Sequence, residues 1–164
     1  LFAMPRFRAG EFGGTFTLNA GVVPPENSPP VDSPDGKFWL AEVPILDAMT
    51  QGRSREEAFE MVVDMLRTLV DDARFEVSVT ARGEGAFEVV SPDVRTMTCL
   101  LLRRARQRGG RTLSEIAKVL GARSRNAYAR YEQGVSVPSI EKLCELWRAA
   151  CPDSDLVLDE RIFA

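Results

Sequence analysis

The spacing of the hydrophobic residues changes once along this chain, near residue 91. Before that point, four segments have the pattern typical of half-buried strands, and they flank a single helical segment. After it, all periodic segments have helical spacing. A chain with this change folds as an α+β domain followed by an all-α domain. We therefore predict the α+β class, with domains at residues 10–90 and 91–152 and a C-terminal tail at 153–164.

The first domain is predicted to have the order ββαββ. Its strands cover residues 13–23, 37–43, 75–81 and 86–90. The helix between them begins after Ser54, which forms a predicted capping box with Glu57, and it runs to about Asp71. Residues 23–36 contain five of the ten prolines. We interpret this proline-rich insertion as a long exposed connection, and its role is not predicted.

The second domain is predicted to contain four helices. Ser91 is the expected N-cap of the first helix, with Pro92 at its first position. Thr112 and Glu115 form a second capping box, and glycines end the helices. The predicted helices cover residues 92–108, 113–120, 124–132 and 138–150. The inward side chains expected in the fourth helix are Ile140, Leu143, Leu146 and Trp147.

The charge distribution indicates a phosphate-binding segment, and the residue types that are missing exclude several kinds of catalytic site. The net charge of −3 combines 8 basic and 16 acidic side chains in residues 1–94 with 13 and 8 in residues 95–164. A basic segment of this kind attracts phosphate. The chain has no histidine, which excludes Ser-His-Asp and Cys-His catalysis, and its three cysteines have no zinc spacing. We expect no metal or cofactor, no membrane span and a cytoplasmic location.

Residues 112–134 show the pattern of two helices that cross closely at a turn. Ala117 is small where the helices must approach each other, and Gly121 lies at the turn. Together with Ser124-Arg125, Tyr131-Glu132 and Gly134, this pattern resembles the Cro/repressor (XRE-type) helix-turn-helix family, over roughly residues 97–150. The turn is one residue longer than usual in that family, and Leu113 stands where a phosphate-binding glutamine is common.

The resemblance implies that the third helix of this domain enters the major groove of operator DNA. Arg125 would then bind guanine and Asn126 adenine. Of the two tyrosines, one is expected to pack inward and the other to contact phosphate, and the sequence leaves their assignment open. The predicted DNA-binding residues are Thr112, Arg123, Ser124, Arg125, Asn126, Tyr128, Ala129 and Arg130. The arginines of residues 103–111 are either a solvated helix face or phosphate contacts.

A second motif lies in the first domain. Trp39, Ala41 and Pro44 precede Thr50-Gln51-Gly52 and Glu56-Glu57-Ala58 at fixed spacing. This arrangement resembles the HicB antitoxin family over residues 14–90, which implies a partial, truncated ribonuclease-H-like fold. Members of that family neutralise HicA, a toxin that cleaves mRNA, and bind the operator of their own operon. The chain departs from the family at Asp47-Ala48-Met49 and in its proline-rich insertion.

Together these patterns predict an autoregulating antitoxin of a type II toxin-antitoxin system. Its partners would be operator double-stranded DNA, a HicA-like toxin and at least one further copy of the chain. The alternative is a stand-alone transcription regulator whose first domain oligomerises or senses a small ligand. A ribonuclease-H-like nuclease would need clustered carboxylates, for which Glu42, Asp47 and Asp71 are candidates, but their spacing singles out none of them. We therefore expect no enzyme activity.

Overall fold

The computed structural model divides the chain into two compact units, with the boundary between Pro92 and Asp93. The structure describes residues 4–7, 14–23, 38–83, 85–154 and 156. The predicted proline-rich connection, from residue 24 on, and most of the predicted tail at 153–164 lie outside the described residues. No helix in the described part of the chain is long and apolar enough to cross a membrane.

The N-terminal unit is an antiparallel sheet with one helix against it. The described elements are β1 (Met4–Phe7), β2 (Gly14–Val23), β3 (Trp39–Val43), β4 (Ala48–Gly52), α1 (Arg55–Val70), β5 (Ser78–Ala81) and β6 (Ala86–Ser91). The strand order is β4-β3-β2-β6-β5, and β1 also pairs with β2. All of these pairs are antiparallel. The α+β class is therefore confirmed.

The predicted ββαββ order is wrong in its number of strands, because four described strands precede the helix instead of two. The sequence AMTQG of β4 contains few residues that favour strands. It is nevertheless a strand because it pairs with β3 along its whole length, from Ala48 opposite Val43 to Gly52 opposite Trp39. Tertiary pairing thus overrides the weak local preference of this segment.

Helix α1 covers one face of the sheet. Its fully buried residues are Ala58, Val62 and Leu66, each one turn apart. Phe87 and Val89 of β6 are buried as well, and the ring of Phe87 lies 5.1 Å from that of Phe59 in α1. Burial of such side chains contributes about 1.5–3 kcal/mol each. The helix is therefore held by its apolar stripe.

The start of α1 departs in one detail from the predicted capping box. The Ser54 hydroxyl accepts a hydrogen bond from the Glu57 amide at 3.1 Å, as expected. The Glu57 carboxylate, however, accepts from the amide of Arg53 at 2.6 Å. Gly52 precedes this turn, and a Cβ there would lie 2.3 Å from the nitrogen of Ala58. Only glycine fits at this position, where the end of β4 meets the first turn of α1.

The C-terminal unit consists of four helices. They are α2 (Val94–Arg108), α3 (Leu113–Val119), α4 (Asn126–Glu132) and α5 (Ile140–Ala150). The prediction that Ser91 caps the first helix is wrong. Ser91 ends β6 and donates its hydroxyl to the Glu76 carbonyl at 2.7 Å, whereas the Asp93 carboxylate caps α2 by accepting from the amide of Thr96 at 2.9 Å.

The four helices enclose a core centred on Trp147. Ile116 from α3, Tyr128 from α4 and Leu146 from α5 are all fully buried with it. The predicted inward position of Ile140 is wrong, because 59% of this residue is exposed. Ile140 is the first residue of α5 and therefore lies beyond the buried part of that helix.

Candidate nucleic-acid interface

The α3 helix begins with a complete capping box. The Thr112 hydroxyl accepts from the Glu115 amide at 3.2 Å, and the Glu115 carboxylate accepts from the Thr112 amide at 2.8 Å. The hydrogen bonds that this carboxylate accepts from the amide and then the hydroxyl of Thr112 lower the pKa of Glu115. Gly121 follows α3 with a φ of +64°, which glycine adopts without strain. This turn redirects the chain towards α4.

Tyr128 fixes α4 against α2. Its side chain is fully buried, and its hydroxyl donates a hydrogen bond to the carbonyl of Leu102 at 2.9 Å. Burial raises the pKa of the Tyr128 phenol above its ordinary value. The hydroxyl therefore stays protonated and acts as a donor inside the core.

A partly buried ion pair joins the same two helices. Arg106 Nε and Nη2 donate to the two carboxylate oxygens of Glu132 at 2.7 and 3.2 Å. The side chains are only 22% and 10% exposed. The hydrogen bonds to Glu132 are the main cause that raises the pKa of Arg106. A bidentate pair of this kind fixes the orientation of α4 as well as its distance from α2.

The chain leaves α4 through a second tight turn. Gly134 has a φ of +70°, and a Cβ there would lie 3.2 Å from Cys99 Sγ. Its carbonyl accepts a hydrogen bond from Arg95 Nη1 at 2.6 Å. The C-terminal end of α4 is therefore fixed by contacts within the C-terminal unit.

Five of the predicted DNA-binding residues lie together on the surface at the start of α4 and along it. They are Arg123, Ser124, Arg125, Asn126 and Arg130, and all five are exposed. Ser124 Oγ accepts from the amide of Asn126 at 3.2 Å, which steadies the first turn of α4. Arg125 is the N-cap residue but makes no capping bond with its side chain.

Two predicted DNA-binding residues are not on this surface. Tyr128 has an exposure of 0% and Ala129 one of 8%, so both belong to the core of the C-terminal unit. The alternative left open for the tyrosines is thereby decided for Tyr128, which packs inward. Tyr131 is half-buried. Helix α4 is seven residues long, and its core and exposed positions alternate within two turns.

Thr112 is exposed, but its hydroxyl is already engaged. It lies 2.7 Å from Glu115 Oε2, to which it can donate while accepting from the Glu115 amide. The carboxylate thus occupies the amino end of α3, where a DNA phosphate would otherwise find free amides. This arrangement does not favour a phosphate contact by Thr112.

The arginines of residues 103–111 have different environments. Arg106 is engaged by Glu132, and the guanidinium of Arg108 lies 5.2 Å from the centre of the Trp147 ring. Arg108 also donates to Ser154 Oγ at 3.4 Å. These two side chains hold the C-terminal unit together, which is neither of the two roles considered from the sequence. In the sequence, the only indication of the Arg106–Glu132 ion pair was the glutamate that the helix-turn-helix pattern has at position 132.

The crossing of α3 and α4, their glycine turn and the exposed start of α4 define a helix-turn-helix domain. In agreement with this geometry, residues 100–157 match the model of a family described as "Helix-turn-helix domain". The match lies within the C-terminal unit and does not extend to the N-terminal one. No curated protein matches the chain.

The structure explains some residues of the motif from Trp39 to Ala58 in the N-terminal unit. Ala41 and Ala58 are fully buried, and Gly52 provides the close approach of β4 to α1. Asp47 and Asp71 both have left-handed backbone conformations at turns and are exposed. In the part of the chain that the structure describes, no group of three or more Cys, Asp or Glu side chains is placed to hold a metal ion.

Proposed function

We propose that this protein is a transcription regulator that binds operator DNA through α4. The observation that carries this proposal is the exposed start of α4, the second helix of the helix-turn-helix domain. Arg125 and Asn126 lie there side by side, and their side chains make no hydrogen bond or ion pair with other described residues. Exposed polar groups without internal partners are available to read base edges.

The chemistry of these side chains suits the major groove. The Arg125 guanidinium matches the two acceptors of guanine, and the Asn126 amide matches the donor and acceptor of adenine. Arg123, in the turn before α4, and Arg130, near its end, would contact phosphate on either side. Two copies bound to an inverted repeat would place their α4 helices about 34 Å apart, or a multiple of that distance.

The test starts from DNA sequences selected by the wild-type protein from a random duplex library. Binding of the best sequence is then measured by fluorescence anisotropy for Arg125→Ala, Asn126→Ala and the control Arg74→Ala, whose side chain is 95% exposed in the N-terminal unit. Loss of a bidentate base contact costs about 1–3 kcal/mol, so affinity should fall about 5- to 150-fold for the first two variants only. Unchanged affinity with intact helicity would refute the role of α4.

The proposal for the N-terminal unit is an antitoxin function. In it, this unit binds and neutralises a HicA-like toxin that cleaves mRNA, and the C-terminal unit represses the operon that encodes both. The support is the motif from Trp39 to Ala58, together with the excess of acidic side chains in residues 1–94, which suits a partner that must be basic to hold RNA. In this function the chain itself is not an enzyme.

The antitoxin function is tested by recovery of the protein from its native lysate after nuclease treatment. A small stoichiometric partner is expected, which arrests growth when expressed alone and is neutralised when co-expressed with this chain. The experiment uses the full chain, which contains the N-terminal unit proposed to bind the toxin. If only copies of the chain itself are recovered while neighbouring genes are expressed, the stand-alone regulator becomes the better explanation.

A further inference from the structure

A partly enclosed hollow lies beside the exposed surface of α4. Its volume is about 320 Å³, which is at the lower end of the range for small-molecule sites. Leu120, Ala127 and Leu146 provide apolar lining from the α3–α4 turn, α4 and α5. The polar lining is provided by Arg130, Tyr131, Ser136 and Lys142.

The charges of this hollow have one sign. Two of its lining side chains are cationic, two carry a hydroxyl group, and no carboxylate lines it. Arg130 Nη2 lies 3.5 Å from Ser136 Oγ, which is the longest distance for a hydrogen bond. Lys142 pairs at 2.8 Å with Glu145 one turn away, a surface ion pair of a kind that contributes little. Both cations can therefore exchange their present partners for a bound anion at a small cost in free energy.

We propose that the hollow binds a small organic anion with an apolar body, such as an aromatic carboxylate. Lys142 and Arg130 hold the charged group, and the apolar body contacts the half-buried Leu120 and Ala127. Arg130 lies on α4 among the residues proposed to contact DNA. An anion that engages Arg130 therefore withdraws it from DNA and lowers the affinity for the operator. This second step rests on the proposed DNA-binding function, whereas the binding of the anion does not.

Binding of the anion is tested by NMR on the isotope-labelled full chain. Sodium benzoate and sodium indole-3-acetate are titrated, with neutral benzamide as the control. Saturable shifts are expected for the amides of Ala127 and Ser136 with the carboxylates and not with benzamide. Lys142→Gln should weaken the binding about tenfold, the effect of losing one charge-assisted hydrogen bond. Lys118→Gln, which removes an exposed charge from α3 outside the hollow, should have no effect.

Three results would overturn the proposal of the site: no saturable shifts with either carboxylate, equal shifts with benzamide, or equal loss of binding in the two lysine variants. The effect on DNA is measured separately, with the selected duplex at fixed ionic strength. Saturating carboxylate is expected to weaken DNA binding about tenfold, as for the loss of one arginine contact. Saturable binding of the anion with unchanged DNA affinity would refute the coupling alone. Absence of any DNA binding would refute the proposed function and leave the anion site standing.

Discussion

The Arg106–Glu132 pair offers the sharpest test of how α4 is held in place. In Glu132→Gln, the side chain keeps its size but loses its charge, so that one of two charge-assisted hydrogen bonds is lost and the other is weakened. Hydrogen bonds to charged groups contribute about 1.5–3 kcal/mol. Because the Arg106 side chain is 22% exposed, water partly compensates for the loss. We expect the free energy of unfolding of the C-terminal unit to fall by about 2 kcal/mol.

A double-mutant cycle separates the pair from its surroundings. Arg106→Met alone leaves the carboxylate of Glu132, only 10% exposed, without its main partner. This variant should lose about 3 kcal/mol. The cycle is closed by Glu132→Leu alone and by the double variant Arg106→Met/Glu132→Leu, which replaces both charges by apolar groups and should lie within about 1 kcal/mol of the wild type. The interaction energy of the pair is then several times that of an exposed ion pair.

The measurement is urea unfolding followed by tryptophan fluorescence. A chain of two units need not unfold in one step, so the signal must report on the C-terminal unit alone. The chain has two tryptophans, Trp39 and Trp147. In the background Trp39→Phe, the remaining Trp147 is 2% exposed within that unit and reports on its core. An interaction energy below about 0.5 kcal/mol would refute the structural role of the pair.

Three further outcomes are expected. Gly52→Ala would place a Cβ 2.3 Å from the backbone of α1, and it should cost the N-terminal unit about 2–3 kcal/mol in urea unfolding followed by Trp39 fluorescence; a change below about 0.5 kcal/mol would contradict the close approach. Tyr128→Phe leaves the buried carbonyl of Leu102 without the hydroxyl donor and should cost about 1 kcal/mol by Trp147 fluorescence; an unchanged free energy of unfolding would contradict this hydrogen bond. The hydrogen bonds to Thr112 lower the pKa of the Glu115 carboxyl. The ionised carboxylate therefore stabilises the folded C-terminal unit fully above the ordinary carboxyl pKa of about 4.3, and this stabilisation is lost as the pH falls through the lowered pKa. NMR titration of the Glu115 carboxyl checks this, and an unshifted midpoint would contradict the capping box.

The ends of the helices were predictable because they are decided within one turn of chain. Ser54 and Thr112 cap α1 and α3 as predicted, and both hydroxyls accept from the amide three residues later. Gly121 and Gly134 follow α3 and α4 with positive φ values of 64° and 70°. These features depend on side-chain hydrogen bonds and backbone freedom that a short window of sequence contains.

Features that depend on distant partners were missed. Strand β4 has no strong preference of its own and forms through its pairing with β3. Ser91 has the sequence features of an N-cap, but its pairing opposite Phe16 makes it the end of β6. The assignment of Tyr128 to the core also required the position of α2, which supplies the Leu102 carbonyl. The spacing of apolar residues alone does not show which side of a short helix is buried.

The basic character of residues 95–164 therefore does not translate directly into a DNA-binding surface. Glu132 engages Arg106, and Arg108 covers Trp147, so part of the positive charge stabilises the fold. Glu115 places a negative charge at the amino end of α3, where the fold would otherwise favour a phosphate. The surface proposed to bind DNA is consequently concentrated in the α3–α4 turn and α4. In the proposed function, sequence is read by the base contacts of Arg125 and Asn126, so the specificity rests on the rigid placement of α4.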